Sequence, residues 1–211
     1  MSGQFDLFAP PPSPPSAPRP RTRLQSTARW HDVFFALRPE AADAQRLAAH
    51  GAREAQRLVV GSKPLEPERL HVSLYLMARY ERGVELPQAD VERWERAAAA
   101  VRMAPFEVVF DALATFGRDT NPLVLKARDS DGAGTAGVCR FQQALGIALA
   151  NAGEDIRSKA FEPHMTLSYR GTRIAEQSIA PIAWTARELV LIDSHVGAHI
   201  HEVLGRWPLR A

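Results

Sequence analysis

The sequence contains a single cysteine, Cys139, among its 211 residues, and it has no long hydrophobic run. One cysteine excludes an internal disulfide framework and any zinc site built from several cysteines. No segment approaches the roughly 18–20 consecutive apolar residues that span a bilayer. Prolines from Pro10 onward stand where the apolar part of a secretory signal would begin. No predicted strand leads into a glycine-rich phosphate-binding loop. These absences predict a cytoplasmic protein with no membrane partner and no nucleoside-triphosphate chemistry.

Proline is unevenly distributed, because residues 1–29 hold seven of the 16 prolines together with four arginines. Proline has no backbone donor, and a stretch with so few apolar side chains cannot bury enough surface to fold. We therefore expect a disordered arm over 1–29 and a folded domain over 30–211. Four arginines and Asp6 give the arm a charge of +3, which leaves −1 of the total of +2 for residues 30–211. Any nucleic-acid-binding surface on the folded part must therefore be local.

Hydrophobic periodicity predicts three helices and seven strands. Helices are expected over 41–58, 88–102 and 137–150, where apolar positions recur at helical spacing. Short apolar or alternating runs predict strands over 32–37, 70–77, 106–113, 123–127, 163–169, 188–192 and 200–205. The order β α β α β β α β β β combines hairpins with helical connections. This order favours an α+β fold with mostly antiparallel sheets over a doubly wound parallel fold.

Two segments in predicted strands share one pattern of histidine, apolar residue, hydroxyl residue and leucine. They are His71-Val72-Ser73-Leu74 and His164-Met165-Thr166-Leu167. Strand side chains alternate, so the imidazole and the hydroxyl of each segment point to the same face. A helix follows the first segment and another precedes the second. We therefore expect two similar lobes, each presenting one histidine–hydroxyl pair to a shared cleft.

A cleft with two such pairs suits the cleavage of a phosphoester without a metal. One neutral histidine can take a proton from water while a protonated histidine gives one to the departing sugar oxygen. The hydroxyls of Ser73 and Thr166 can donate hydrogen bonds to phosphoryl oxygens, where charge grows in the transition state. The sequence therefore predicts His71, His164, Ser73 and Thr166 as catalytic residues.

On these motifs the sequence resembles the 2H phosphoesterases, specifically the bacterial RNA 2′,3′-cyclic phosphodiesterases, also called 2′-5′ RNA ligases. The resemblance covers about residues 30–210. Besides the two histidine motifs, it rests on an opening strand and on the closing strands. These segments read Val33-Phe34-Phe35-Ala36-Leu37, Leu189-Val190-Leu191-Ile192-Asp193-Ser194 and Trp207-Pro208-Leu209.

The resemblance implies two lobes, each a mostly antiparallel sheet with outer helices, around a central cleft. The implied reaction opens a terminal 2′,3′-cyclic phosphate of RNA to a 2′-phosphate without metal or cofactor, and the resemblance also implies that RNA ends can be joined reversibly through a 2′-5′ linkage. In this family pattern His71 donates a proton to the leaving 3′ oxygen and His164 activates water. The implied partner is RNA with 2′,3′-cyclic phosphate ends, tRNA-like fragments included, with no obligate protein partner.

The sequence departs from the family pattern at positions that bear on substrate binding. Ser73 stands where threonine is usual, and Arg69 stands where the family often has asparagine. A basic residue often follows the second histidine by five positions. This chain has Tyr169 there and Arg170 next, and a bulge would let Arg170 take the phosphate-binding role. We therefore predict Tyr169 and Arg170 as substrate-binding residues, with Phe35 as a third candidate that either stacks on a base or packs in the core.

Two alternative functions stay open at this point. The histidine pair could act on another cyclic phosphate, such as ADP-ribose 1″,2″-cyclic phosphate, or on a 2′-5′ oligonucleotide. A non-catalytic RNA- or nucleotide-binding module would use the two histidines only to hold phosphate. We predict no metal site, and the one histidine pattern that could form one is His195, His199 and His201, for which exposed strand positions are the simpler explanation.

Overall fold

A computed structural model of the protein describes residues 30–58, 64–116, 121–129, 132–156, 160–169, 172–198 and 200–211. The arm predicted over 1–29 lies outside the described residues. The described chain forms three α-helices and eight strands, with one 3₁₀ turn before the second strand. In chain order these are β1 (Trp30–Leu37), α1 (Ala41–Arg57), β2 (Val72–Glu81), α2 (Gln88–Ala100), β3 (Phe106–Thr115), β4 (Leu123–Lys126), α3 (Ala136–Asn151), β5 (His164–Ser168), β6 (Gln177–Ala186), β7 (Glu188–His195) and β8 (Ile200–Pro208).

The strands form two four-stranded sheets in which every neighbouring pair is antiparallel. The first sheet has the order β2-β1-β7-β8, and the second has the order β5-β4-β3-β6. Each sheet therefore has one strand of a histidine motif, β2 or β5, at an edge. The strand that precedes it in the same sheet, β1 or β4, lies beside it. This arrangement confirms the predicted α+β fold of two similar antiparallel sheets.

All ten predicted helices and strands are present, but one strand was missed. This strand is β6, and Pro181 lies near its middle. Most of its side chains are at least partly exposed, so it lacks both the apolar run and the clean alternation that predicted the other strands. Proline cannot donate to a strand ladder, and β6 tolerates it because it is an edge strand paired only with β3.

One continuous hydrophobic core joins both sheets to the helices. It contains Phe35 of the first sheet, Phe110 of the second sheet and Phe141 of α3. Helix α1 packs very closely on β5, because a Cβ atom added at Gly51 would lie 3.0 Å from Cδ2 of Leu167. The glycine therefore allows α1 to lie close against the strand of the second motif. None of the helices in the described ranges is both long and apolar enough to cross a membrane.

The first sheet is apolar on both faces near its centre. One face of β1 carries Val33, Phe35 and Leu37 and packs in the main core. The opposite face, which we call the cleft face, carries a separate apolar cluster of Phe34, Ala36, Val190, Ile192 and Val203. Ser73 of β2 pairs with Ala36, so the hydroxyl of the first motif belongs to the cleft face as well.

Candidate active site

Both motif histidines are held by the same local hydrogen bond. His71 lies immediately before β2, and its Nδ1 is 2.7 Å from the carbonyl oxygen of Arg69. His164 begins β5, and its Nδ1 is 2.8 Å from the carbonyl oxygen of Glu162. A carbonyl oxygen can only accept, so each Nδ1 carries a hydrogen and donates it. Each histidine therefore keeps Nε2 as the atom that can take or give a proton.

The two motifs meet where the edge strands of the two sheets approach each other. The backbone N–H of Leu65, which precedes the first motif, donates to the carbonyl oxygen of Leu167 in β5 at 2.7 Å. Pro64 forms an isolated antiparallel bridge with Ser168. His164 is also near enough to His71 that a positive charge on its ring lowers the pKa of His71. The structure thus brings together the two histidines that the sequence pattern predicted.

The pKa of His71 is lowered to about 4, chiefly because burial penalises the charged ring. The positive charges of Arg38, His164 and Arg69 lower it further, and the hydrogen bond to the Arg69 carbonyl opposes them. At neutral pH the His71 ring is therefore neutral in the free protein, with an unprotonated Nε2.

A phenylalanine ring lies against each motif histidine. The centroid of the Phe34 ring is 5.1 Å from that of His71, and the Phe116 ring is 4.9 Å from that of His164. Neither ring was predicted from the sequence as part of the site. The predicted candidate, Phe35, was wrong as a base-stacking residue, because the side chain is fully buried and packs near Trp207 in the main core. The adjacent Phe34, which is 9% exposed, is the aromatic residue on the cleft face.

A third histidine, His201 of β8, lies beside His71. The two ring centroids are 5.4 Å apart with the rings nearly edge to face, and the Phe34 ring is 6.1 Å from His201. Burial foremost, and then the charges of His71, Arg69 and Arg38, lower the pKa of His201 to about 3. The His201 ring is therefore uncharged at physiological pH and lines the site beside His71.

The structure does not support a metal site made of His195, His199 and His201. In the β7–β8 pairing His195 lies opposite Ile200, so the next residue, His201, points to the other face of the sheet. His199 lies outside the described residues. The sequence pattern could not show this, because the register between β7 and β8 decides the face of each histidine.

Charged side chains are distributed differently around the two histidines. Arg38 and Arg69 act on His71 through their positive charges, and the guanidinium of Arg38 donates to the carbonyl oxygen of Glu68. Lys126 of β4 pairs with His164 in the sheet register. The ammonium of Lys126 forms ion pairs with Glu162 and Glu176. Two arginines therefore act on the His71 side, where sequence reasoning predicted no basic ligand.

The remaining predicted site residues are positioned as follows. Ser73 is exposed, and Thr166 is half-buried and pairs with Val124 of β4. Thr166 lies two residues after His164 in the same strand, so the two side chains share a face. Tyr169 is 41% exposed and directly follows β5, so it is accessible to a ligand. Arg170 lies outside the described residues, and its role stays a prediction.

Comparisons with known proteins agree with this architecture. The fold is similar to the crystal structure of E. coli LigT in apo form, with a TM-score of 0.65, 18% sequence identity, and coverage of 87% of this chain and 100% of that chain. It is also similar to E. coli LigT complexed with 3′-AMP, with a TM-score of 0.64, 17% identity, and coverage of 86% of this chain and 99% of that chain. TT0787 of Thermus thermophilus gives a TM-score of 0.63 and 19% identity, with coverage of 85% of this chain and 98% of that chain.

At these levels of identity the structural matches show the fold alone. A comparison with curated proteins gives no significant match. The family comparison is decisive, because the model of the 2′-5′ RNA ligase superfamily matches residues 39–198, a range that includes both histidine motifs. The chain therefore belongs to the 2′-5′ RNA ligase superfamily.

Proposed function

We propose that this protein opens the terminal 2′,3′-cyclic phosphate of RNA to a 2′-phosphate, with His71 and His164 as the acid–base pair. The observation that carries the proposal is the matched hydrogen bond of the two rings. Each Nδ1 donates to a backbone carbonyl two residues earlier, which leaves two Nε2 atoms for the two proton transfers that the reaction needs. A 5′-hydroxyl of RNA that attacks the cyclic phosphate in place of water, with the 3′ oxygen again leaving, would join RNA ends through a 2′-5′ linkage.

Charge on the two sides of the cleft supports a specific division of roles. His71 has a pKa of about 4, so it is ready to accept a proton from water at neutral pH. As a proton donor it would first have to be protonated at a free-energy cost of about 4 kcal/mol at pH 7. We therefore assign proton acceptance to His71 and proton donation to the 3′ oxygen to His164. This assignment reverses the one that the family resemblance implies.

The substrate phosphate fits best beside His71. Arg38 and Arg69 supply positive charge there, and the exposed hydroxyl of Ser73 lies on the same face. Guanidinium groups bind phosphate oxygens strongly, and hydroxyl donors stabilise the charge that develops in the transition state. Thr166 would supply the matching hydroxyl on the His164 side, with Tyr169 and Arg170 as further substrate contacts.

The comparisons support a nucleotide substrate without identifying it. Similar structures include E. coli LigT complexed with 3′-AMP and with phosphate. For this chain we propose RNA with 2′,3′-cyclic phosphate ends as the substrate, and no cofactor. Another cyclic phosphate, such as ADP-ribose 1″,2″-cyclic phosphate, would use the same pair of histidines.

The test is turnover of a 2′,3′-cyclic nucleotide, and of an RNA oligonucleotide that ends in a 2′,3′-cyclic phosphate, in buffer containing EDTA. Phosphorus NMR of the product distinguishes a 2′-phosphate from a 3′-phosphate. We expect a 2′-phosphate from both substrates. His71→Ala and His164→Ala should each lose turnover. The matched control is His50→Ala on helix α1, which should keep the activity of the unaltered chain.

Three outcomes would contradict the proposal. A 3′-phosphate product would mean that the other ring bond breaks. Binding of the cyclic ends without turnover would favour a binding module, and turnover only of ADP-ribose 1″,2″-cyclic phosphate would assign the site a different substrate.

A further inference from the structure

A second group of titratable side chains lies on the other face of the first sheet, away from the cleft face. It consists of Asp193 and His195 of β7 and Glu202 of β8. The Nε2 atom of His195 is 4.0 Å from Oδ2 of Asp193 and 3.9 Å from Oε2 of Glu202. One ligand atom from each residue lies within 4.8 Å of the others. The three side chains therefore converge on one point.

The central carboxylate of this group is held in place by a buried histidine. His31 of β1 and Asp193 are 6% and 5% exposed, and Nδ1 of His31 is 2.8 Å from Oδ1 of Asp193. The His31 ring also stacks on His195, with the centroids 5.6 Å apart. Oδ1 of Asp193 is thus occupied by His31, and Oδ2 lies 4.0 Å from Nε2 of His195. An outer hydrogen bond that orients a ligating carboxylate is a regular feature of metal sites.

The spacing of the three ligand atoms suits a metal ion. Three atoms that lie within 4.8 Å of one another have a common point at most about 2.8 Å away, compared with bonds of about 2.0–2.2 Å from zinc to nitrogen or oxygen. His195 and Glu202 have side-chain exposures of 28% and 45%, so both can make the shifts of roughly 0.6–0.8 Å that coordination requires. One imidazole and two carboxylates form a ligand set for a divalent transition metal.

We propose that Asp193, His195 and Glu202 bind one divalent transition-metal ion, with His31 orienting Asp193 and water completing the coordination. The ion would join β7 to the edge strand β8 just before the turn at Val196–Ala198, and it would therefore stabilise this end of the sheet. The proposed site is separate from the acid–base pair, because Asp193 pairs with Val33 on the core side, whereas His71 and His201 lie on the cleft side. It does not rest on the proposed function.

The test is calorimetric titration of EDTA-treated, dialysed protein with Zn²⁺, with the thermal unfolding temperature measured in parallel. We expect one zinc ion per chain and a higher unfolding temperature with zinc. His195→Gln and Glu202→Gln should each weaken binding at least tenfold and remove the rise in unfolding temperature. Both residues are partly exposed, so these variants should fold. His31→Gln should weaken zinc binding by about 10–100-fold through loss of the orienting hydrogen bond.

The matched controls are His50→Gln on helix α1 and Glu107→Gln on β3, which remove the same side-chain types elsewhere. Both should bind zinc like the unaltered chain, and so should the double variant His71→Gln/His164→Gln. Zinc binding that survives in His195→Gln and Glu202→Gln would overturn the proposal. Loss of zinc binding in the His71/His164 double variant would place the ion on the catalytic histidines and would also overturn the proposal. Absence of zinc binding in the unaltered chain would overturn it as well.

Discussion

Removal of each of the two motif histidines, His71 and His164, should have a different effect when the leaving group of the substrate is changed. A ring with a pKa of about 4, as His71 has, is protonated in roughly one molecule in a thousand at pH 7. His71 can therefore act as a base from its dominant protonation state, although a low pKa makes it a weak base, whereas as an acid it would start from a rare protonation state. A bell-shaped pH–rate profile cannot separate these two cases, because either protonation pattern gives the same bell.

With a 2′,3′-cyclic nucleotide, His71→Ala and His164→Ala should each lower kcat/KM by about 10²–10⁴, which corresponds to roughly 3–5 kcal/mol of transition-state stabilisation. A diester with a 4-nitrophenolate leaving group needs no general acid, but its attacking water still needs a base. With this ester we expect His164→Ala to recover most of its loss, and His71→Ala to recover little. The pH profile of kcat/KM should fall on the acidic side only near pH 4–5.

The experiment compares kcat/KM for both substrates in the two variants and in the control His50→Ala, with circular dichroism to verify folding. Recovery of His71→Ala, and not of His164→Ala, on the nitrophenyl ester would refute the reasoning from the pKa. It would show that a bound phosphate restores the proton to His71 and that the family assignment of roles is correct. An acidic limb near pH 6.5 that vanishes in His71→Ala would show that the pKa of His71 is not lowered, and it would remove the basis for assigning proton acceptance to His71.

Three further predictions follow from burial and packing. Phe34→Ala should raise KM or lower kcat for the cyclic nucleotide, with a modest loss of stability. Phe35→Ala removes a side chain from the main core and should lower the free energy of unfolding, measured in urea, by about 3–5 kcal/mol. Equal losses of stability in the two variants would contradict the two faces described for β1. The pKa values of His71 and His201 are lowered in the folded chain, so the unfolded chain binds more protons below about pH 6.5. The free energy of unfolding should therefore decrease on acidification, by up to roughly 2 kcal/mol per ring at pH 5. Between pH 7 and pH 5 the variant His201→Gln should lose less stability than the unaltered chain. An equal loss, measured by urea unfolding at the two pH values, would contradict this. Gly51→Val should destabilise the fold by about 1–3 kcal/mol because Leu167 occupies the space, and an unfolding temperature equal to that of the unaltered chain would show that α1 can move away from β5.

The short-range pattern of the sequence determined the helices, most of the strands and the central pair of the candidate site. The period of two placed His71 with Ser73 and His164 with Thr166 on common faces, because strand alternation depends only on the local backbone. Amphipathic periodicity located the three helices for the same reason. Strand β6 was missed because an edge strand needs no apolar pattern to be stable and can even contain Pro181.

Only the tertiary structure decided which other residues surround the two histidines. The sequence does not show which of Phe34 and Phe35 faces the cleft, because β1 is buried on both faces and both positions are apolar. Pairing of β1 with β2 and β7 places Phe34 at the cleft. His201 reaches His71 from the opposite edge of the sheet, which depends on the strand order and on the twist of the sheet. The pKa of His71 is likewise a property of the folded chain, since burial and the nearby charges of Arg38 and Arg69 set it. Strand alternation is a local property of the backbone, whereas desolvation and contacts between distant strands exist only after the chain has folded.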